Sequence, residues 1–241
     1  MSLSTTSTTL NELLGLSFEP VAITFLTSDS TNGVPWFDAP MSEPTEDGRT
    51  GRVAAPCVFW THGHTSTFDT AADDHGNCSV GRYTHGFVKA GEILDKADVG
   101  ALLDVGWVTM EAFSGVAALQ ARPTGVRYGP LSEATALPDV VLLRVTPKQM
   151  MAINDAVEVE WSGKPQCQIL PRAAETGVIA ASMGCALSRA RTGMGDDELT
   201  VAVPGNRIEE LATALQPVSV ADAAVVGYAT ADMERFQAKS S

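Results

Sequence analysis

The side chains of this sequence best suited to chemistry are its four cysteines, since a thiolate can bind a metal ion or attack a substrate. Each lies near a chain reversal or at the end of a predicted element: Cys57, Cys78, Cys167 and Cys185. A thiol at the N-terminus of a helix has a lowered pKa, because unpaired N–H groups and the helix dipole stabilise the thiolate. Together, such thiols could form a tetrahedral zinc site or hold an iron–sulfur cluster.

The spacing of these cysteines does not by itself bring them together. The intervals along the chain are 21, 89 and 18 residues, and the C-x-x-C pattern of zinc knuckles and thioredoxin-like pairs is absent. Free cysteine is also a common small residue of protein cores. From the residues alone, buried structural thiols are therefore the favoured interpretation, and one shared site is the alternative.

The segment 70–87 suggests a second kind of chemistry. It is polar and interrupted by glycines, and it places Cys78 between His75 and His85. Cys78, with either histidine as the base and Asp74 as the orienting acid, has the residue types of a cysteine-nucleophile triad. His75 is only three residues from Cys78, which is tight for a productive pair within a loop. A metal-free cysteine enzyme is therefore an alternative hypothesis.

Other motifs add little. His62 and His64 form an H-x-H pair that could chelate a metal ion, although such a pair in a loop is more often exposed to solvent. The sequence lacks the phosphate-binding loop G-x-x-x-x-G-K-[ST], the fingerprint G-x-G-x-x-G, and the patterns H-E-x-x-H and G-x-S-x-G. A third hypothesis is an accessory protein that binds a small ligand, with cysteines that are structural or that bind zinc.

The composition limits the partners. The formal net charge is −13 and the pI is near 4.6, which argues against a nucleic-acid partner, because phosphates are bound by clustered Lys and Arg. The same charge argues against anionic membranes, and no run of roughly 18 apolar residues predicts a membrane span. The N-terminus does not resemble a signal peptide. We therefore expect a cytoplasmic protein, where thiols stay reduced.

Predicted strands and helices alternate along the chain. Apolar, β-branched runs predict strands at 21–27, 126–131, 139–145, 177–184 and 196–204. Caps and helical periodicity predict helices at 8–16, 90–107, 146–158, 167–177, 186–191, 206–216 and from 219 onward.

This pattern predicts an α/β or α+β fold in which helices flank one mixed sheet. We expect a single compact domain over 10–241, preceded by a flexible N-terminal tail over 1–9. The residues 28–51 are predicted to form a long loop. The apolar pair Trp36-Phe37 in it, together with the C-terminal helix, could serve a homo-oligomer.

Several blocks of the chain resemble the domain-of-unknown-function family 169, also labelled ArCR. The run from Asp74 to His85 is similar to that family's pattern DH-x-N-C-x-[IV]-G-x-x-TH. The other similar blocks are Glu19-Pro20-Val21-Ala22-Ile23, Cys57-Val58-Phe59-Trp60, Pro138-Asp139-Val140-Val141-Leu142, the C-x-x-[LI]-P block at Cys167, Ser182-Met183-Gly184-Cys185 with Arg189, and Gly195-Asp196-Asp197-Glu198-Leu199 with Val201 to Pro204.

The resemblance changes the balance between the interpretations of the cysteines. All four fall on the cysteine blocks of the family, which implies one shared site. We therefore expect a metalloprotein with a [4Fe–4S] cluster, or secondly zinc, and a redox or Lewis-acid role on a small molecule. His75, His85 and Arg189 are the expected catalytic residues. Asn77 and Gly184, which precede two of the cysteines, are the expected cofactor contacts.

Overall fold

The computed structural model describes residues 2–27, 33–37, 41–42, 51–52 and 55–240. Its strands are β1 (Val21–Leu26), β2 (Met41–Ser42), β3 (Gly51–Arg52), β4 (Phe68–Ala71), β5 (Gly125–Pro130), β6 (Val140–Val145), β7 (Glu160–Ser162), β8 (Ala180–Ser182) and β9 (Leu199–Pro204). Seven of them form one sheet in the order β4-β5-β1-β6-β9-β8-β7, and β2 pairs with β3 in a separate small sheet. Neighbours in the large sheet are antiparallel except for β7 and β8, which are parallel. The predicted mixed sheet is confirmed.

The apolar strands at the centre of the sheet are buried on both faces. In β6, Val141 and Leu143 point into one core, whereas Val140 and Leu142 point into the other. This alternation follows from the two-residue period of a strand, and it explains why β6 is apolar throughout its first half. The sheet therefore separates two cores, each of which must be covered by helices.

The helices divide between these cores and one end of the sheet. They are α1 (Leu3–Leu14), α2 (Pro56–His62), α3 (Ser79–Thr84), α4 (Ala97–Asp104), α5 (Met110–Ser114), α6 (Pro147–Ala156), α7 (Ile169–Thr176), α8 (Ala186–Thr192) and α9 (Ile208–Ser240). Helices α1, α6 and α9 contribute buried residues to the first core, and α2 and α7 to the second. A smaller apolar cluster joins α3, α4 and α5.

The expectation of a flexible tail over residues 1–9 is wrong. Helix α1 begins at Leu3, and Ser2 caps it by accepting a hydrogen bond from the N–H of Thr5. Thr6 and Ser7 are buried, and the Ser7 hydroxyl donates to the carboxylate of Glu19. The hydroxyl-rich composition that resembles a tail instead supplies the cap and the contacts of the first turns.

The C-terminal helix also differs from the prediction. Asn206 lies in a short 3-10 turn instead of capping a helix, and α9 then continues through Pro217 as one helix of 33 residues. Its first turns bury Ile208, Leu211 and Leu215, whereas residues 220–239 are exposed apart from the half-buried Asp222. Within the described residues, one helix is long and apolar enough to cross a membrane by length and composition, Gly205–Lys239, a test that core helices also pass.

Ending the chain after Val218 is expected to leave the body of the protein folded. Of the removed residues, those at 219–239 are exposed except for the half-buried Ser219 and Asp222, so the free energy of unfolding should fall by less than about 1 kcal/mol. Leu211→Ala, which empties a fully buried position of the same helix, should cost about 2–5 kcal/mol. Urea unfolding measures both variants. If the truncated chain lost as much free energy of unfolding as Leu211→Ala, the residues after Val218 would have to belong to the folded body.

A buried ion pair fixes the edge of the sheet that leads to Cys78. Asp69 on β4 is fully buried, and Arg127 on β5 donates to both its carboxylate oxygens, at 2.7 and 2.8 Å. Beyond β4, the chain makes a 3-10 turn over Ala72–His75 and enters α3.

The N–H of Phe37 donates to the carbonyl of Asp69, and the Phe37 ring packs 4.8 Å from that of Phe68. The remainder of the predicted loop 28–51 lies largely outside the described residues.

Candidate metal centre

All four cysteines line one cavity at the end of the sheet where α2, α3 and α8 meet. They come from four separate segments of the chain, and their thiols are free. The cavity measures about 30 Å³. Cys57 is buried, whereas Cys78, Cys167 and Cys185 are half-buried. The fold therefore brings to one place the residues that their spacing left apart.

Two of the cysteines are N-caps of short helices. Cys78 precedes α3, and its Sγ accepts a hydrogen bond from the N–H of Gly81 at 3.4 Å. Cys185 precedes α8, and its Sγ accepts from the N–H of Ser188 at 3.3 Å. The predicted helix after Cys185 is confirmed, whereas the helix after Cys78 was not predicted, because the segment 70–87 has the composition of a loop.

Cys57 is held in the first turn of α2, directly after Pro56. Burial, together with the neighbouring Cys78, raises the pKa of the Cys57 thiol to about 11, although Arg191 and Ser188 oppose the shift. In the absence of a bound cation, the folded chain therefore keeps this thiol protonated at neutral pH.

Cys167 lies in the 3-10 turn Gln166–Gln168. Burial raises the pKa of its thiol, as does the proximity of Cys78, while a hydrogen bond from the Thr84 hydroxyl lowers it. The cysteines thus influence one another electrostatically. Because a metal binds the thiolate, loading this cavity would release protons and would be favoured by higher pH.

The only formally charged residue that lines the cavity, among the residues described, is Arg191. Burial lowers the pKa of Arg191, but the proximity of Cys78, Cys57 and Cys185 outweighs burial and raises it. The sequence prediction selected Arg189 instead. With Cys185 known to be the cap of α8, helical periodicity places Leu187 and Arg191, four residues apart, on the cavity side.

Arg189 has a different position. Its guanidinium donates to the backbone carbonyls of Met183, Gly195 and Glu198. It therefore joins the chain before Cys185 to the turn before β9. This arrangement makes Arg189 a support of the loop that carries Cys185, and the structure does not place it in the lining of the cavity.

The wall of the cavity also contains aromatic and amide groups that the sequence did not indicate. Trp60 and Gln166 are buried, and in the described part of the chain neither the indole Nε1 nor the amide Oε1 has a hydrogen-bond partner. Trp107 lines the opening, and the Lys164 ammonium lies 4.7 Å from its ring centroid. The remaining lining is largely apolar, so water is restricted around the thiols.

His75 and His85 lie beside this site without lining it. Both are fully buried, and their ring centroids are 5.6 Å apart. Burial lowers the pKa of His85 to about 4 and that of His75 well below its usual range. The His75 Nε2 contacts the Thr70 hydroxyl, and the His85 Nδ1 contacts Gly81 and Thr84. Neither ring is placed as a base for Cys78.

The other predicted contacts are local. The Asp74 carboxylate accepts the N–H of Ala71 at 2.7 Å, so it supports the turn. Asn77 is half-buried directly before Cys78. Gly184 has φ +90°, and a Cβ there would lie 3.0 Å from Gln166 Oε1, so glycine is needed to shape the approach to Cys185.

His62 and His64 do not converge. The His62 ring packs 5.1 Å from that of Phe37, and the His64 ring packs 5.1 Å from that of Phe18. The H-x-H pair is therefore divided between two aromatic contacts.

The thiols share a cavity without forming a compact cluster. Within the described residues, no group of three or more His, Cys, Asp or Glu side chains is arranged to hold a metal ion. A mononuclear zinc site needs all its thiolates about 2.3 Å from one ion. The cavity is thus a set of donors in the same place, not a preformed coordination sphere for one ion.

Acidification is expected to destabilise the protein through its buried histidines. Since the pKa of His85 is lowered to about 4 from a usual 6.5, the unfolded chain binds the proton first as pH falls. The stability contributed by the neutral ring is complete above about pH 6.5 and is lost as pH falls towards 4. We expect a loss of about 2 kcal/mol between pH 7 and pH 5 from His85.

Urea unfolding at the two pH values measures this effect in the wild type and in His85→Asn, whose side chain does not titrate. The variant should lose the share of the pH dependence due to His85. An identical pH dependence in both proteins would show that His85 is not buried as a neutral ring.

Comparison with models of protein families assigns the chain to a family. The model of DUF169, described as uncharacterised ArCR, matches residues 9–214. The chain therefore belongs to the DUF169 family, which confirms the resemblance carried by the cysteine blocks. No curated protein and no solved structure matches the chain. The match ends within α9, just before the part of that helix that is exposed.

Proposed function

We propose that this DUF169 protein is a metalloprotein in which Cys57, Cys78, Cys167 and Cys185 bind one [4Fe–4S] cluster. Its role would be redox or Lewis-acid chemistry on a small molecule. The observation that carries the proposal is that all four thiols line the same cavity, where Cys78 and Cys185 each accept a hydrogen bond from a backbone N–H.

These donors are the N–H groups of Gly81, which donates to Cys78, and of Ser188, which donates to Cys185. The side chains of Ser188 and Thr84 lower the pKa values of the Cys57 and Cys167 thiols, although burial raises both. Donors of this kind stabilise metal-bound thiolates and tune the potential of a cluster. A thiol that only fills space in a core needs no such partner.

Thiolate ligands suit both iron–sulfur clusters and zinc, and the separation of the four thiols favours the cluster. A single ion would suit the volume of about 30 Å³ but not the separation of the thiols. A cluster places sulfide ions between several irons, so it joins thiolates that are too far apart for one ion. To admit it, the half-buried segments of Cys78 and Cys185 must move outward. Zinc is the second candidate.

When bound through all four cysteines, the cluster would supply electron transfer, and it would supply a Lewis-acidic iron only if three of them bound it and one position stayed open. The residues of this chain would control its surroundings. Arg191 offsets the negative charge of the thiolates, and Trp60 offers an unpaired indole N–H towards the same cavity. The partial exposure of Cys78, Cys167 and Cys185 supports access by a small substrate or a redox partner.

The same features support a cytoplasmic location. Free thiols persist in a reducing compartment, and the acidic surface does not favour a nucleic-acid or anionic-membrane partner.

The proposal is tested by isotope-coded alkylation of the cysteines, read by mass spectrometry. In protein purified without oxygen, all four thiols should be protected together and should become reactive together after the metal is removed. One hyper-reactive cysteine in metal-free protein would favour the nucleophile hypothesis. Four thiols that react at the same rate before and after chelation would leave them structural and contradict the metal centre.

Arg191→Leu is expected to lower the midpoint potential of the cluster by roughly 50–100 mV. Removing the half-buried positive charge favours the oxidised form of the cluster, which carries less negative charge. Arg191→Lys keeps the charge and should recover most of the shift, which a redox titration followed by absorbance measures. Equal midpoint potentials in the Leu variant and the wild type would show that Arg191 does not influence the cluster.

A further inference from the structure

A second and smaller space, the inner cavity, shares part of its wall with the cavity that the four cysteines line. It measures about 10 Å³. Arg144 of β6 lines the inner cavity alone, whereas four residues line both spaces: Cys57, Trp60, Gln166 and Ser188. A water molecule needs a volume of about 10–15 Å³ on this measure, so the inner cavity has room for one molecule of that size.

Two hydroxyl groups in the wall of the inner cavity already have acceptors. The Thr61 hydroxyl donates to the carbonyl of Val58 at 2.7 Å, and the Thr192 hydroxyl donates to the carbonyl of Ser188 at 2.7 Å. These two groups therefore need no ligand in the cavity.

Other polar groups of the same wall are unpaired. In the described part of the chain, four of its buried atoms have no hydrogen-bond partner: Trp60 Nε1, Arg144 Nε, Gln166 Oε1 and Ser188 Oγ. Trp60, Gln166 and Ser188 are only 3%, 2% and 3% exposed, so bulk water does not solvate them. Buried polar atoms are rarely left unpaired, and several around one small space indicate a polar ligand between them.

The balance of donors and acceptors identifies this ligand. The indole and guanidinium N–H groups only donate, the amide oxygen only accepts, and a serine hydroxyl can do either. The ligand must therefore accept from Trp60 and Arg144 and donate to Gln166. A halide cannot donate, and the charge of Arg144 opposes a metal cation or ammonium. Buried water makes two to four hydrogen bonds, as both donor and acceptor.

We infer that the inner cavity is a binding site for one ordered water molecule, which accepts from Arg144 Nε and donates to Gln166 Oε1. The Ser188 hydroxyl is its third partner. In the metal-free chain, the Trp60 indole N–H, which lies in the wall that both cavities share, is its fourth. The water thus orients side chains that also line the cysteine cavity. This site goes beyond the proposed cluster and does not depend on it.

The test uses reduced, metal-free, full-length protein in chloride-free buffer, so that neither a cluster nor a halide is present. In water-selective NOE and ROE spectra of ¹⁵N-labelled protein, the Trp60 Nε1–H and the Arg144 Nε–H should each show a cross-peak to water whose sign differs between the two spectra. That difference in sign marks a long-lived bound molecule. Arg144 separates the two spaces, because it lines only the inner cavity.

Gln166→Leu removes the acceptor, and the Arg144 cross-peak should fall by about half or more because the water loses a partner. Thr61→Val is the matched control. Its hydroxyl lines the same cavity but already donates to Val58, so both cross-peaks should keep their intensity. A wild-type protein without the Arg144 cross-peak, or full intensity of that peak in Gln166→Leu, would overturn the inference.

Discussion

Serine at any of the four cysteine positions is expected to abolish most of the iron and sulfide bound by the reconstituted protein. A serine hydroxyl is a far weaker ligand for iron than a thiolate, because it is not ionised at neutral pH. The effect should be largest at Cys57, where burial also leaves the new hydroxyl in an apolar wall. Iron and sulfide analysis after anaerobic reconstitution measures the loss.

Ala186→Ser is the matched control for these variants. It introduces the same hydroxyl directly beside Cys185 at an exposed position, and it should bind as much iron as the wild type. Full iron and sulfide content in a Cys→Ser variant would show that this cysteine is not a ligand. The same result in all four variants would contradict the shared site.

Arg127→Met is expected to reduce the free energy of unfolding by about 3–5 kcal/mol, the typical cost of leaving a buried charge without its partner. The carboxylate of Asp69 is fully buried, and Arg127 meets both its oxygens. Since β4 leads directly into the turn before Cys78, binding of metal should weaken as well. Urea unfolding and reconstitution measure the two effects.

The double variant Asp69→Leu/Arg127→Met is the control for charge. With both charges removed, no ion remains buried alone, and much of the lost stability should return. If the double variant lost as much stability as Asp69→Leu and Arg127→Met lose in total, the pair would stabilise the fold through its packing and not through its charges.

The fold could be predicted where apolar periodicity controls it. The strand at Val140–Val145 and the helix after Thr146-Pro147 were predicted because burial on both faces and a capped proline turn leave clear patterns. The tail was mispredicted because serine and threonine side chains can serve either as solvent-exposed polar groups or as caps. Strand β4 was missed because Asp69 and Thr70, which are buried and hydrogen-bonded, have the composition of a loop.

The site was predictable only in part. The position of Cys185 before a helix follows from its neighbours in the sequence, and the family blocks suggested that the four cysteines belong together. Arg191 was missed because the family block pointed to Arg189, and the predicted helix 186–191 does not by itself show which of its faces meets the other cysteines. The partners of His75 and His85 are backbone carbonyls and hydroxyls, which sequence spacing does not reveal.

The central claim is that the four cysteines bind one iron–sulfur cluster. Mössbauer spectroscopy of ⁵⁷Fe-enriched protein, purified without oxygen and analysed for iron and sulfide, tests it most directly. The account predicts about four iron and four sulfide ions per chain, with the isomer shift of iron in a tetrahedral sulfur environment. Zinc without sulfide would replace the cluster by a mononuclear site, and protein that binds neither metal, with four titratable thiols, would contradict the claim.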